Sequence, residues 1–163
     1  MGRRSIKENK NEYQKAREEA GLTRAEAAEL MEYVSESRIE KIESEKSQPH
    51  PEEILAMASA YKKPALCNHF CSAKCPLGQK NVPKVEAKDL SQITLEMLAT
   101  LNSLNKEKDR MIEITADGKI SDDEMEDFSR IRKQLTQISS IVDSLQLWID
   151  NTVISGKMDP SKL

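Results

Sequence analysis

The stretch that decides the fold is residues 21–43, which read GLTRAEAAELMEYVSESRIEKIE. Gly21 suits the left-handed position that commonly follows a helix. Thr23 and Glu26 have the spacing of a capping box, in which each side chain satisfies a free backbone donor of the other at the start of a helix. Ser35 is a good N-cap for a further helix. The stretch therefore predicts two short helices, one from Arg24 and one after Ser35, joined by a tight turn.

Helical patterns flank this stretch on both sides. A helix from Glu12 to about Ala20 is predicted before it, and another from Pro51 to about Tyr61 after it. Lys63-Pro64 stops that helix and is a possible start for a fifth short one. The side chains expected in the core are Tyr13, Ala16, Ala20, Leu22, Ala27, Ala28, Met31, Ile39, Ile42, Ile54, Leu55, Met57 and Ala58.

In this order of caps, small residues and loops, residues 11–66 resemble the Cro/C1-type helix-turn-helix regulators, also called XRE-like. The resemblance implies a lambda-repressor-like domain of four to five helices whose third helix lies in the major groove of double-stranded DNA. It implies base contacts from the third helix and phosphate contacts from the residues around it. The implied DNA-binding set is Arg24, Ser35, Glu36, Ser37, Arg38, Lys41, Lys46 and Gln48.

Two features of this segment depart from the family pattern. The turn between the second and third helices contains Glu32-Tyr33 in place of the usual glycine and is one residue longer. Residues 1–66 carry 12 basic and 13 acidic side chains, so a polyanion is weakly attracted to the domain as a whole. Residues 1–10, a flexible basic arm with Arg3, Arg4 and Lys7, could supply further phosphate contacts. The alternative is an adaptor or assembly protein that uses the helix-turn-helix fold to bind other proteins.

Composition excludes several classes of protein. The chain has 163 residues, 33% of them charged, a net charge of −3 and only 4% aromatic residues, which indicates an all-α fold. No apolar stretch approaches the roughly 18 residues of a membrane span, and the first ten residues are too polar for a signal peptide. We expect a cytoplasmic protein with no membrane partner. No catalytic motif is present, so an enzyme is not expected.

The cysteines are clustered in residues 67–88, which are interpreted as a linker or a small knuckle. Cys67, Cys71 and Cys75 together with His69 have the composition of a Cys₃His zinc site, which would require the chain to fold back before Cys75. An iron–sulfur cluster is a less favoured alternative, because the spacing matches no standard cluster motif. The thiols could equally pack as small hydrophobic groups on a short helix. A bound metal would add metal or redox sensing to regulation.

Residues 89–155 are predicted to form a long antiparallel helical hairpin, followed by a tail at 156–163. One helix runs from an N-cap at Ser91 to about Ile114, and the second starts at a capping box formed by Ser121 and Glu124. The second helix has about 30 residues, or roughly 45 Å. Seven of its apolar positions follow a heptad pattern typical of a coiled coil; they are Phe128, Ile131, Leu135, Ile138, Val142, Leu145 and Ile149. Ile141 and Trp148 widen this apolar stripe. We expect this hairpin to form a homodimer, and the whole chain to act as a sequence-specific transcription regulator, a repressor.

Overall fold

The computed structural model describes residues 9–162, and within that range all regular secondary structure is helical. Two compact units are present. The first extends to Lys84 and includes the segment from Asp150 onward, and the second is Val85–Ile149. The all-α prediction is confirmed. Arg3, Arg4 and Lys7 of the predicted basic arm lie outside the described residues.

The first unit contains six helices before Lys84. They are α1 (Glu12–Glu19), α2 (Arg24–Met31), α3 (Glu36–Glu43), α4 (Pro51–Ala60), α5 (Ala65–Ala73) and α6 (Pro76–Asn81). Local capping sets the early boundaries as the sequence predicts. The Thr23 and Glu26 capping box is formed, the Ser35 hydroxyl accepts from the backbone of Arg38, and Gly21 has a φ of +73° after α1.

The core of this unit is continuous through five of these helices. It is formed by Tyr13, Ala16, Ala27, Met31, Val34, Ile39, Ile42, Ile54, Met57, Ala58, Tyr61, Leu66 and Phe70. Two predicted core residues are outside it, since Ala20 is exposed at the end of α1 and Leu55 is 64% exposed on α4. Leu55 lies between the buried Ile54 and the buried Met57, on the outer side of a helix that has a single buried face.

Where the sequence predicts a linker or a small knuckle, most of residues 67–81 lies in two helices, α5 and α6, with a break at Lys74 and Cys75. Helix α5 buries Leu66 and Phe70 in the core, and α6 packs closely on α5. Gly78 permits this approach, because a Cβ at that position would overlap the carbonyl oxygen of Cys71 and lie 2.6 Å from its carbonyl carbon. The apolar side chains of α5 and the small residue in α6 therefore extend the first unit beyond residue 66.

The second unit consists of α7 (Leu90–Lys106), α8 (Lys108–Thr115) and most of α9 (Met125–Ile154). The predicted N-cap at Ser91 is wrong, since the Asp89 carboxylate accepts from the backbone N–H of Gln92 and so caps α7. The predicted single helix is interrupted at Glu107, which separates α7 from α8.

The start of α9 also differs in detail from the predicted capping box. The Glu124 carboxylate accepts from both the backbone N–H and the hydroxyl of Ser121, and the helix begins at Met125. Helix α9 has 30 residues, which agrees with the predicted length.

Polar contacts connect the first two helices of this unit to α9 in antiparallel order. The Arg110 guanidinium contacts Asp127, Glu107 accepts from Arg130, and the amide of Gln134 donates to the hydroxyl of Ser103 at 2.9 Å. As the position on the earlier helices falls from 110 to 103, its partner on α9 rises from 127 to 134. The buried apolar side chains of this unit are Ile93, Ile114, Ile131, Ile141 and Leu147.

The end of the chain is turned and not extended. Helix α9 ends at Ile154, and Gly156 follows with a φ of +72° while the N–H of Lys157 donates back to the carbonyl of Thr152. A short 3-10 helix, Pro160–Lys162, completes the described residues. In the part of the chain that the structure describes, no helix is both long and apolar enough to cross a membrane.

Candidate nucleic-acid interface

The turn between α2 and α3 has an unusual backbone. Glu32 adopts a φ of +56° and a ψ of −48°, and the N–H of Tyr33 donates to the carbonyl of Met31 at 2.6 Å. These values describe a γ-turn of the strained, positive-φ kind. The phenol of Tyr33 donates to the carbonyl of Glu52 at 2.8 Å, which anchors the turn to the start of α4. The chain thus makes the turn without glycine, at a cost in backbone strain.

A buried ionic cluster fixes the helices behind this turn. Glu43, at the end of α3, accepts from Nε and Nη2 of Arg17 on α1 at 2.5 and 2.9 Å. The same carboxylate accepts from Nε of Arg24 on α2 at 2.8 Å, and Nη1 of Arg17 donates to the carbonyl of Leu22. The side chains of Arg17 and Glu43 are 8% and 1% exposed. Because α1, α2 and α3 each supply one charge, the cluster fixes the orientation of α3 relative to α2.

Helix α3 has one buried and one exposed face. Ile39 and Ile42 are buried in the core, while Ser35, Glu36, Ser37, Glu40 and Lys41 are exposed. The exposed face is polar and includes four of the residues that the sequence predicts for DNA contact. Its charge is mixed, because two carboxylates stand beside one ammonium group. Carboxylates can accept from the amino group of cytosine, and an ammonium group can donate to guanine or phosphate.

Arg38 is held by protein groups in this structure. Its guanidinium donates to both carboxylate oxygens of Glu53 at 2.6 and 2.8 Å, to the hydroxyl of Ser47 at 2.5 Å and to the carbonyl of Gln48 at 2.8 Å. Hydrogen bonding from Arg38 keeps the pKa of Glu53 below its ordinary value, although burial acts in the opposite direction. Arg38 therefore links α3 to Ser47 and Gln48 in the following loop and to Glu53 in α4.

The predicted phosphate contacts have different surroundings. Arg24 shares the buried carboxylate of Glu43, so part of its charge is neutralised within the domain. Lys46 and Gln48 are exposed in the loop after α3, where the backbone N–H of Lys46 donates to the carbonyl of Lys41 and closes the helix. Glu40, which is not in the predicted DNA-binding set, is exposed on the same face as Glu36 one helical turn later. The spacing of four residues was the available signal.

The three cysteines of the predicted metal site lie on α5 and immediately before α6. Cys67, Cys71 and Cys75 are half-buried, and all three pack against the core of the first unit. The ring of His69 makes an edge-to-face contact with Tyr13, with the ring centroids 5.8 Å apart. Burial raises the pKa of the Cys67 thiol, which favours the protonated form.

The predicted metal site needs several ligand side chains close together. Among residues 9–162, no group of three His, Cys, Asp or Glu side chains is placed to hold a metal ion. Cys67 and Cys71 lie one turn apart on α5, and Cys75 follows the end of that helix at Ala73. The three thiols pack as small hydrophobic groups in this structure, and metal binding by Cys67, His69, Cys71 and Cys75 stays a prediction.

Comparison with known proteins identifies the segment that contains this surface. A helix-turn-helix family model matches residues 14–66, which include nearly all of α1, all of α2, α3 and α4, and the start of α5. Searches of curated proteins and of solved structures found no match. The matched family is one of DNA-binding regulators. Residues 14–66 therefore form a helix-turn-helix domain of the Cro/C1 type, which supports a DNA-binding transcription regulator.

Proposed function

We propose that the protein is a sequence-specific repressor that binds DNA as a homodimer. The observation that carries this proposal is the exposed polar face of α3 on a domain that matches the helix-turn-helix family. In this fold the helix after the turn enters the major groove and presents its N-terminal half to base edges. A bound regulator of this kind occupies its operator and blocks access to it.

Ser37 and Lys41 are the proposed principal base-reading residues, with Glu36 and Glu40 beside them. Ser37 and Lys41 are exposed one turn apart on α3, whereas the guanidinium of Arg38 is hydrogen-bonded to Glu53. Ser35 caps α3 and lies at its groove-facing end. Lys46 and Gln48 are proposed as phosphate contacts, and Arg24 as a weaker one because Glu43 shares its charge.

The proposed dimer uses one face of the second unit. Thr100 on α7 and both Gln134 and Ile141 on α9 are buried or half-buried, and the residue after each is an exposed apolar side chain. Consecutive residues are turned by about 100° around a helix. In two antiparallel helices that pack through their buried positions, the residue that follows a buried one therefore points to the same face of the pair on both helices. The exposed side chains on that face are Leu101, Leu135 and Val142.

Burial of this face by a second copy would give a four-helix bundle. Transfer of apolar surface from water is favourable by about 25 cal/mol per Å². A symmetric pair of heads is suited to half-sites one helical turn of DNA apart, roughly 34–36 Å.

The direct experiment is selection of binding sites from random duplex DNA by the intact protein, followed by titration of the selected duplex at several salt concentrations. We expect a selected sequence whose affinity falls as salt increases. Lys41→Ala should weaken specific binding by about 1–3 kcal/mol and relax the preference at one position. Lys80→Ala, on exposed α6, is the matched control and should bind like the parent. Selection of no sequence from the random pool would contradict the proposal.

Arg38→Ala separates a base contact from a structural one. If Arg38 acts through Glu53, then Arg38→Ala and Glu53→Gln should lower thermal stability similarly and leave the sequence preference unchanged. Because hydrogen bonding lowers the pKa of Glu53, this contribution is present at neutral pH and is lost as the pH falls below about 4. Measurement of unfolding at pH 7 and pH 3 for the parent and Glu53→Gln tests this. If Arg38→Ala changes the sequence preference and Glu53→Gln does not, Arg38 contacts the bases directly.

A second candidate function is an adaptor that binds a basic protein partner. The observation that favours it is the row of exposed carboxylates on α2, on the turn and on α3, namely Glu29, Glu32, Glu36 and Glu40. Such a surface repels DNA phosphates at long range. The selection experiment distinguishes the two functions, because an adaptor would select no DNA sequence.

A further inference from the structure

An apolar cavity of about 100 Å³ lies between α8 and α9 in the second unit. Ile114 and Ile131 are 1% and 2% exposed and line it together with Phe128. Met111 and Leu135 also line it and are partly exposed, so they form its opening. We propose that this cavity binds a small apolar molecule no larger than a single aromatic ring.

The chemistry of the wall determines this class of ligand. Only apolar atoms are accessible inside the cavity, although Thr115 and Arg132 contribute to the lining. The hydroxyl of Thr115 donates to the carbonyl of Met111 at 2.8 Å, so its donor is already used within α8. A water molecule needs two to four polar partners and would find none at this wall. An apolar ligand loses no hydrogen bonds on entry.

The size of the cavity limits the ligand. An apolar cavity of roughly 150 Å³ is known to stay dry and to bind benzene or xenon. A volume of about 100 Å³ is of the same order, and the opening at Met111 and Leu135 leaves room for a ring to extend outward. A molecule with two fused rings or a charged group would have to leave part of itself in the opening. All lining residues come from one chain, and Leu135, at the opening, also lies on the face proposed for the dimer.

The test uses the intact protein labelled at its isoleucine and leucine methyl groups, with benzene as the probe. We expect saturable changes in the NMR signals of Ile114, Ile131 and Leu135. Leu135→Phe and Thr115→Met are designed to fill the cavity, and each should weaken benzene binding at least tenfold. Val142→Phe adds the same ring two helical turns further along α9, outside the cavity, and should change binding less than twofold. Circular dichroism establishes which variants remain folded.

Three results would overturn the proposal. The first is the absence of saturable signal changes up to the solubility limit of benzene. The second is binding that neither cavity-filling variant weakens. The third is binding that weakens as protein concentration rises through the range of self-association, since a side chain of a second copy would then occupy the cavity. None of these results depends on DNA binding, so the outcome is independent of the selection experiment.

Discussion

The two units of this protein bury different kinds of side chain. The first unit buries a continuous apolar core and also an arginine–glutamate contact that is almost completely shielded from water. The second unit places its ion pairs at the surface and leaves leucine, methionine and valine side chains exposed on all three of its helices. The buried Arg17–Glu43 pair is surrounded by side chains of the first unit that exclude water from it. Helices that leave apolar side chains in water are stable chiefly when another surface covers them.

The largest effect is expected from Glu43→Ala in the first unit. The substitution leaves the buried guanidinium of Arg17 without its partner, and breaking a buried pair in this way costs about 3–5 kcal/mol. Hydrogen exchange of the α1–α3 amides as a function of denaturant measures the loss. Glu19→Ala breaks the exposed contact with Lys63 and is the control, with an expected cost below about 1 kcal/mol. Equal costs for the two variants would show that the buried cluster is not special.

In the second unit, Leu135→Glu should produce monomers. A charged side chain on the exposed apolar face prevents its burial by a second copy, and we expect the dimer to dissociate at least a hundredfold more readily. Sedimentation equilibrium at micromolar concentration measures this. Thr136→Glu places the same charge on an exposed polar part of α9 and should leave the dimer intact. If the parent protein is itself a monomer, no second copy covers the exposed apolar side chains of the second unit. That result would contradict the comparison between the two units.

Gly78→Ala tests whether α5 and α6 belong to the fold of the first unit. A methyl group at this position would overlap the backbone of Cys71, so the two helices must separate. We expect a loss of about 1–3 kcal/mol in the free energy of unfolding, which is typical of overpacking. Lys80→Ala, two residues further along the same helix, should be nearly neutral. If Gly78→Ala is also neutral in thermal unfolding, α6 does not contribute to the stability of this unit.

The smallest effect, and the only gain, is expected from Glu32→Gly. Glycine accepts a positive φ without steric cost, so the change should raise the free energy of unfolding by about 1 kcal/mol. Glu29→Gly, in the middle of α2, should lower it by a similar amount because glycine is a poor helix former. Chemical denaturation of the two variants gives the comparison. A loss of stability in both would mean that the turn is not strained.

The sequence predicted the features that depend on neighbouring residues. The starts of α1 to α4, the capping box at Thr23 and Glu26 and the N-cap at Ser35 were correct, because each is formed by side chains within three or four positions of the helix end. The predicted reading helix is also present. Local sequence signals define where a helix begins or ends. They do not define which other parts of the fold the helix packs against.

The contacts that the sequence did not predict are those between distant residues. Arg38 and Arg24 have the composition expected of DNA contacts, yet Glu53 and Glu43 hold them from 15 and 19 positions away. The cysteine segment contains prolines and a glycine, which indicate a loop, but Leu66 and Phe70 gain a place in the core and keep α5 helical. The break between α7 and α8 at Glu107 contains no glycine or proline, so no local signal predicted it.

The packing of the three cysteines gives the molecule an internal reporter. The chain contains no other cysteine, and these three lie on or between α5 and α6. The thiolate is the form that attacks an alkylating reagent, and burial disfavours that form at Cys67. The rate at which Cys67 is alkylated under native conditions therefore reports how well the packing of α5 shields this thiol, without any introduced cysteine and without unfolding the rest of the chain.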